Sequence, residues 1–296
     1  MSDWEPIFNR WSQGPSQTEQ EKCERAVAAI KKAIAADPKL SRKNVITFPQ
    51  GSYRNRTNIS LDSDVDVCVC CKDTFFEEYP EGTTRETFGN VEATYCYPEF
   101  KNDVETALVN YFGRAKVTRG QKAFDIKDNT YRVDADAVPT FEHRRYAANK
   151  TWIEGVELRP DDGKPLKIIN WPQQAYDNGV RKHTATSRRY KKIIRILKNL
   201  RHRMQKDGVK EANDIASFLI ECLVWNVPND HFGHATLTND VRSCLIFLYN
   251  NTLKDADCIE WGEVSELKYL FRGPQPWTRA QANAFVLACW IYLGFS

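Results

Sequence analysis

The sequence predicts an α+β protein with a mainly antiparallel sheet in its first half and mostly helices in its second half. Three patterns lead to this fold class. Apolar residues recur at helical spacing over residues 23–34. Apolar and polar residues alternate over residues 61–70 and again over 131–138, which is the period of a β-strand. A second apolar stripe at helical spacing runs over residues 190–204.

The composition is that of a globular protein with a sizeable core, since 42% of the 296 residues are hydrophobic and 27% are charged. No apolar run is long enough to span a bilayer, and the N-terminus lacks the basic and apolar regions of a signal peptide, so we expect no membrane partner. Nine cysteines, three of them crowded into residues 68–71, suit reduced thiols and predict a cytoplasmic location.

The net charge of +3 says little about partners, but its distribution says more. Residues 181–210 contain twelve Lys or Arg and a single acid, Asp207. Such a local excess predicts a polyanion nearby, either phosphates or a nucleic acid.

The individual elements follow from local signals. A capping box at Ser16 and Glu19 begins a helix that ends before Asp37-Pro38. The run 45–48 is a strand that ends at Pro49 and enters a turn, and 131–138 is a strand closed by Pro139. The acidic stretch 73–88 is expected to be a loop or insertion. Further helices are predicted over residues 190–204, 215–225, 241–253 and 280–293.

Asp64 and Asp66 are the first residues that indicate chemistry. Residues at i and i+2 of a strand point to the same face, so their two carboxylates repel each other. A divalent cation relieves this repulsion, and hard oxygen ligands favour magnesium. A two-metal site needs a third carboxylate, which Asp134 or Asp136 on the later strand could supply. The alternative is that all these acids simply face solvent on an edge strand.

The Gly51-Ser52 pair follows the strand 45–48 and precedes Asp64 by twelve residues. A glycine lets the backbone approach a phosphate, and the serine hydroxyl and the backbone amides can hold phosphate oxygens. A Gly-Ser pair, then Asp-x-Asp, then a distant strand aspartate before Val-Pro is a specific order of residues.

This order resembles the polymerase-β-like nucleotidyltransferases. The segment 50–57 with its Gly-Ser pair, Asp64-Val65-Asp66 and Asp136-Ala137-Val138-Pro139 are more closely similar to the bacterial cyclic-oligonucleotide synthases called CD-NTases. These enzymes are related to cyclic GMP-AMP synthase and belong to the CBASS antiphage systems. The resemblance extends over residues 16–205 and leaves the last ninety residues without a recognisable motif.

The resemblance implies a catalytic site. In it, Gly51 and Ser52 hold the donor triphosphate, and Asp64 and Asp66 ligate two Mg²⁺ ions, for which Mn²⁺ can substitute. The third carboxylate maps to Asp136, because the family places it three residues before the proline. Asp134, on the same face, stays as the alternative.

Further nucleotide contacts are implied for Gln50, Lys182 and Thr186. Lys198 also follows from helical geometry, since it falls at the edge of the apolar stripe of the helix 190–204 and would emerge where a triphosphate could be reached. The alternative is a surface lysine whose stem covers apolar neighbours.

Other basic residues of the same helix leave three roles open: they line the nucleotide site, bind a nucleic-acid activator or face solvent. These residues are Lys191, Lys192, Arg195 and Arg201.

The implied organisation is a nucleotidyltransferase core with an N-terminal helix over residues 1–170 and a helical lobe over 171–296 that completes the nucleotide cleft. The implied function of this monomer is synthesis of a cyclic di- or trinucleotide from triphosphates such as ATP and GTP, with release of pyrophosphate. An effector protein would respond to the product. A transferase that makes linear oligonucleotides or extends RNA, and a catalytically idle module that binds RNA or nucleotides, are the two alternatives.

Overall fold

The computed structural model describes residues 3–60, 64–127, 129 and 132–296. The chain forms two compact units, each with its own hydrophobic core. The sheet unit comprises residues 16–53 and 63–172, and the helical unit comprises 1–15, 54–62 and 173–296. The boundary predicted after residue 170 lies close to the last crossing between the units. Two earlier segments, 1–15 and 54–62, also belong to the helical unit.

The bounds of the regular elements are as follows. In chain order, the helices are α1 (Glu5–Trp11), α2 (Gln17–Ala36), α3 (Gly51–Asn55), α4 (Tyr97–Phe112), α5 (Pro172–Ala185), α6 (Tyr190–Lys206), α7 (Ser217–Asn226), α8 (Leu237–Asn251), α9 (Asp255–Cys258) and α10 (Arg279–Leu293). The strands are β1 (Val45–Pro49), β2 (Val65–Glu78), β3 (Val117–Arg119), β4 (Phe124–Ile126), β5 (Ala135–Tyr146), β6 (Trp152–Leu158) and β7 (Ile168–Asn170).

Among the described residues, seven strands form one sheet in the order β1-β2-β5-β4-β3, with β6 beside β5 and β7 beside β6. The long strands β2 and β5 run parallel, and the other pairs are antiparallel, so the predicted α+β class with a mainly antiparallel sheet is confirmed. The first residues of β5 pair with β4 and its later residues pair with β6.

Helices α2 and α4 bury their apolar sides against β2 and β5. The capping box of α2 forms as predicted, with the Ser16 hydroxyl accepting a bond from the Glu19 backbone and the Glu19 carboxylate accepting one from Ser16 N. Because one face of β2 and β5 is committed to this core, side chains at alternate positions point to the other face.

Two expectations about the strands were wrong. The stretch 73–88 is not wholly a loop, because β2 continues to Glu78 after a bulge between Cys71 and Phe75 and pairs with β5. Its acids have partners, as Glu78 accepts a 2.7 Å bond from Arg145. Pro139 does not end β5. It lies after the residues that pair with β4 and before those that pair with β6, so its missing N–H removes no hydrogen bond to either antiparallel neighbour. Residues 61–63 and 131 of the predicted strands lie outside the described residues.

Helices α6, α7, α8 and α10 were predicted with small shifts in their ends, whereas α1, α3, α4, α5 and α9 were not predicted. The apolar stripe of α6 is confirmed and forms the centre of the helical core. Within the described part of the chain, no helix combines the length and the apolar character needed to cross a bilayer.

Candidate active site

Three carboxylates lie side by side on one face of the sheet unit. Asp66 of β2 is the register partner of Asp136 of β5, and Asp136 is in turn the partner of Asp125 of β4. The alternating residues point into the core on the opposite face; they are Val65, Val67, Phe124, Ile126, Ala135 and Ala137. Apolar burial on one face therefore fixes the acids on the other.

The proximity of these acids changes their protonation. Burial, and after it the charge of Asp64, raise the pKa of the Asp66 carboxyl above its usual value. Burial, the charge of Asp66 and a hydrogen bond to Asp125 raise the pKa of Asp136 to about 7. Each carboxylate disfavours the ionised form of the next, so this end of the sheet carries an excess of negative charge that a cation would relieve.

Asp64 and Asp134 both lie just before their strands and are exposed. Asp64 is near enough to contribute to the raised pKa values of Asp66 and Asp136. The Asp134 carbonyl accepts a 3.2 Å bond from Val65 N. Since Asp136 is the residue in register with Asp66, the geometry favours Asp136 over Asp134 as the third carboxylate.

The Gly51-Ser52 pair begins a short helix, α3, and does not form the expected turn. Gly51 has a φ of +64°, and a Cβ added to it would overlap the Asp66 Oδ2 atom. The Gln50 amide donates a 2.9 Å bond to the Asp66 carbonyl. Two features of this position therefore require glycine: the left-handed backbone conformation and the close approach to a carboxylate.

The donor set suits a hard divalent cation, because it consists of carboxylate oxygens, and burial together with neighbouring carboxylates raises the pKa of Asp66 and of Asp136. In the part of the chain that the structure describes, no three His, Cys, Asp or Glu side chains are already arranged as ligands of one metal ion.

Contrary to the prediction from the sequence, Lys198 does not emerge from the helical core. Its side chain is 0% exposed, and its Nζ atom donates a 2.6 Å bond to Glu221 Oε1. A lysine at the edge of an apolar stripe was expected to emerge from the core, but an acid of α7 pairs with it inside. Contact between Lys198 and a nucleotide stays a prediction.

Lys182 and Thr186 also have partners within the helical unit. The Lys182 amine donates to the Val227 carbonyl at 2.7 Å and to Asn229 Oδ1 at 3.1 Å, and burial lowers its pKa to about 8. The Thr186 hydroxyl donates to the Lys182 carbonyl at 2.8 Å and accepts a bond from Tyr190 N, which supports the start of α6. The roles of Lys182, Thr186 and Gln50 in nucleotide binding stay predictions.

The basic helix α6 is not a solvated face. No residue from 190 to 202 is exposed. Arg195 donates to two backbone carbonyls, Arg201 donates to the Ile215 carbonyl, and burial followed by the charge of Arg56 lowers the pKa of Lys191 to about 8. This burial leaves little of α6 for a nucleic-acid activator.

Sequence reasoning missed Asp125. Its signal was the alternation Phe124-Asp125-Ile126, an acid between two apolar residues, but a strand of three residues is too short for a period to stand out.

A pH dependence of stability follows from the raised pKa of Asp136. Because the folded chain holds this proton more tightly than the unfolded chain, Asp136 destabilises the fold increasingly as pH rises from about 4 to about 7. We expect Asp136→Asn to be more stable than wild type at pH 8 in EDTA by about 1–2 kcal/mol, a value discounted for partial exposure.

Thermal melts at pH 5 and pH 8 measure this effect, and the gain should be much smaller at pH 5. Asp257→Asn, at an exposed carboxylate of the helical unit, is the control and should show no such change. A gain for Asp136→Asn that is the same at both pH values would contradict the prediction.

Comparison with known proteins identifies the family of this chain. A profile of the cGAS/DncV-like nucleotidyltransferase C-terminal helical domain matches residues 177–294. The chain is 44% identical over 292 residues to the cyclic dipyrimidine nucleotide synthase CdnE of Cecembia lonarensis, with 98% of each protein covered. It is 42% identical over 295 residues to the protein of the same name from Legionella pneumophila, again with 98% of each covered.

A solved structure is similar over the same extent. The Elizabethkingia meningoseptica CdnE cyclic dinucleotide synthase, solved with GTP and Apcpp, is 34% identical to this chain. The match covers 99% of this chain and 100% of the other, with a TM-score of 0.82. Identity at this level over nearly the whole length shows a shared family. The chain therefore belongs to the CD-NTases, the cGAS/DncV-like nucleotidyltransferases, and is a cyclic oligonucleotide synthase.

Proposed function

We propose that this enzyme joins two pyrimidine nucleoside triphosphates into a cyclic dinucleotide and releases pyrophosphate, and that the product is a second messenger in antiphage defence. The chemistry is carried by the placement of Asp66 beside Asp136, with Gly51 against Asp66. The relatives at 44% and 42% identity, both named cyclic dipyrimidine nucleotide synthases, support the choice of base. CTP and UTP are therefore proposed ahead of the ATP and GTP expected from the family at large.

The acids of the sheet unit are assigned the metal site. Asp64, Asp66 and Asp136 would hold two Mg²⁺ ions, or Mn²⁺ in their place, and these ions would supply positive charge to the phosphoryl group being transferred.

The chain's own groups are assigned the remaining tasks. The backbone amides of Gly51 and Ser52, with the Ser52 hydroxyl, seat the donor triphosphate. The Asp136 carboxylate takes the proton of the acceptor ribose hydroxyl. The hydroxyl oxygen then bonds to the α-phosphorus of the donor, and the bond from that phosphorus to pyrophosphate breaks. A second round of the same reaction within the linear intermediate closes the ring.

The product decides between this function and its alternatives. When the protein is incubated with Mg²⁺ and all four triphosphates, we expect mass spectrometry to find a cyclic dinucleotide that contains pyrimidine and resists phosphatase. A phosphatase-sensitive linear product, or label in a polynucleotide, would instead support the linear transferase. Magnesium-independent binding of RNA without any product would support the idle module.

Loss of the paired acids should abolish transfer. Asp64→Asn with Asp66→Asn removes two metal ligands, and we expect product formation to fall at least about 1000-fold while circular dichroism shows a retained fold. The matched control is Asp255→Asn with Asp257→Asn, an exposed pair with the same spacing. Product formation by the folded Asp64/Asp66 variant at the control's rate would refute the assignment.

Gly51 offers a separate test of the phosphate seat. Gly51→Ala adds a methyl group that overlaps the Asp66 carboxylate, so we expect transfer to fall by about 100-fold. Gly82→Ala is the control, because Gly82 has a similar φ of +75° but nothing within 4 Å of the added Cβ. Rates of pyrophosphate release measure both variants. Equal losses in the two would mean that backbone strain alone, and not contact with Asp66, explains the effect.

A further inference from the structure

The chain between the two parts of the catalytic site is anchored in the helical unit. Residues 54–60, here called the connecting segment, follow Gly51 and Ser52 and lead towards Asp64. The contacts of this segment place it in the helical unit, whereas residues on either side of it belong to the sheet unit. Thr57, Asn58 and Ile59 are buried. Whatever fixes this backbone therefore constrains α3, the helix that contains both Ser52 and the first residues of the connecting segment.

A buried charged cluster holds the middle of the connecting segment. The Thr57 hydroxyl donates a 2.7 Å bond to Glu221 Oε1, and the Lys198 amine donates a 2.6 Å bond to the same oxygen. These three side chains are 2%, 4% and 0% exposed, respectively. A hydrogen bond from a hydroxyl to a buried carboxylate is charge-assisted, so it defines the position of Thr57 closely.

Arg195 holds the preceding residue. Its Nη1 atom donates a 2.7 Å bond to the Arg56 carbonyl, and its Nε atom donates a 2.7 Å bond to the Ser12 carbonyl. Arg56 has a φ of +53°, a left-handed conformation that is uncommon outside glycine and persists when the surroundings impose it. Two adjacent residues are thus fixed by side chains of α6 and α7.

A gain in folding stability does not by itself explain such a cluster. A buried ion pair gains little net stability, because removing two charges from water offsets their attraction. Lys198 already neutralises Glu221, so the Thr57 hydroxyl is not needed for charge balance. The specific consequence of the Thr57 hydrogen bond is geometric, since it ties the connecting segment to α7 and, through Lys198, to α6.

We propose that Thr57, Glu221 and Lys198 are positioning residues for nucleotidyl transfer, which hold the connecting segment so that α3 places Ser52 in its catalytic position. The inference rests on the proposed function of the acidic site. It gives Lys198 a role through Glu221 and not through contact with the triphosphate.

Thr57→Val tests the proposal, because it removes the hydroxyl at nearly constant volume and leaves the Lys198–Glu221 pair in place. We expect kcat for pyrophosphate release to fall about tenfold, since small displacements of reacting groups are costly. The KM for the triphosphate should rise by a smaller factor than kcat falls, because Ser52 keeps the groups that seat the triphosphate and only their position shifts. Thr57→Ser, which keeps the hydroxyl, should restore kcat.

Thr252→Val is the matched control. The Thr252 side chain is 0% exposed in the same unit, donates a 2.7 Å bond to the Leu248 carbonyl and accepts one from Asn283. Its loss should lower the melting temperature at least as much as Thr57→Val and leave kcat unchanged. All rates are measured well below the lowest melting temperature. If Thr57→Val does not fold, Thr57→Ala takes its place with the same expected loss.

The possible results distinguish failure of the positioning role from failure of the proposed function. A wild-type kcat in Thr57→Val, no recovery in Thr57→Ser, or a rise in KM alone would each overturn the positioning role. An equal fall of kcat in Thr252→Val would also overturn it, because any buried hydroxyl would then suffice. Failure of the wild-type chain to release pyrophosphate would overturn the proposed function, and this inference with it.

Discussion

The repulsion between Asp66 and Asp136 is the constraint on which the active site depends. The two residues are register partners on parallel strands, and their neighbours Val67 and Ala137 are buried in the core. A slip of one residue that separated the acids would turn Val65, Val67 and Val69 away from the core in which they are buried. Burial of the core therefore holds the carboxylates together. Burial and the charge of Asp64 raise the pKa of Asp66, and burial and the charge of Asp66 raise the pKa of Asp136.

Gly51 shows how closely the chain is built around this pair. The Gln50 amide donates a hydrogen bond to the Asp66 carbonyl, so the chain that leaves β1 lies beside the backbone of Asp66. The left-handed φ at Gly51 then turns the chain into α3 directly against the Asp66 side chain. An anion seated on the amides of α3 would lie next to carboxylates, which is favourable only when cations lie between them. The glycine and the acids thus imply the same requirement for metal.

Strands β1, β2 and β5 could be predicted from the sequence, because a β-branched run or a period-two alternation is a local property that one strand carries alone. Strands β3, β4, β6 and β7 were not predicted. The same alternation identified Asp66 and Asp136, but not Asp125, whose strand has three residues. The continuation of β5 through Pro139 depends on where its partners end, which no local pattern contains. The partners of Lys198 were equally inaccessible. A helical projection gives the direction of a side chain, but Glu221 lies 23 residues further along the chain, and Thr57 is 164 residues from Glu221.

The basic segment 181–210 shows why a count of charges overestimates the strength of binding to polyanions. Arg195 and Arg201 donate hydrogen bonds to backbone carbonyls, and Lys198 pairs with Glu221. All these partners lie within the helical unit. Arginine suits this task, because its fixed fork of donors can satisfy several carbonyls without an acid. Carbonyls at the ends of helices and in irregular segments need such partners when they are buried. A run of cations on a central helix can therefore serve to organise the surrounding backbone, and in this chain that backbone includes Arg56 of the connecting segment.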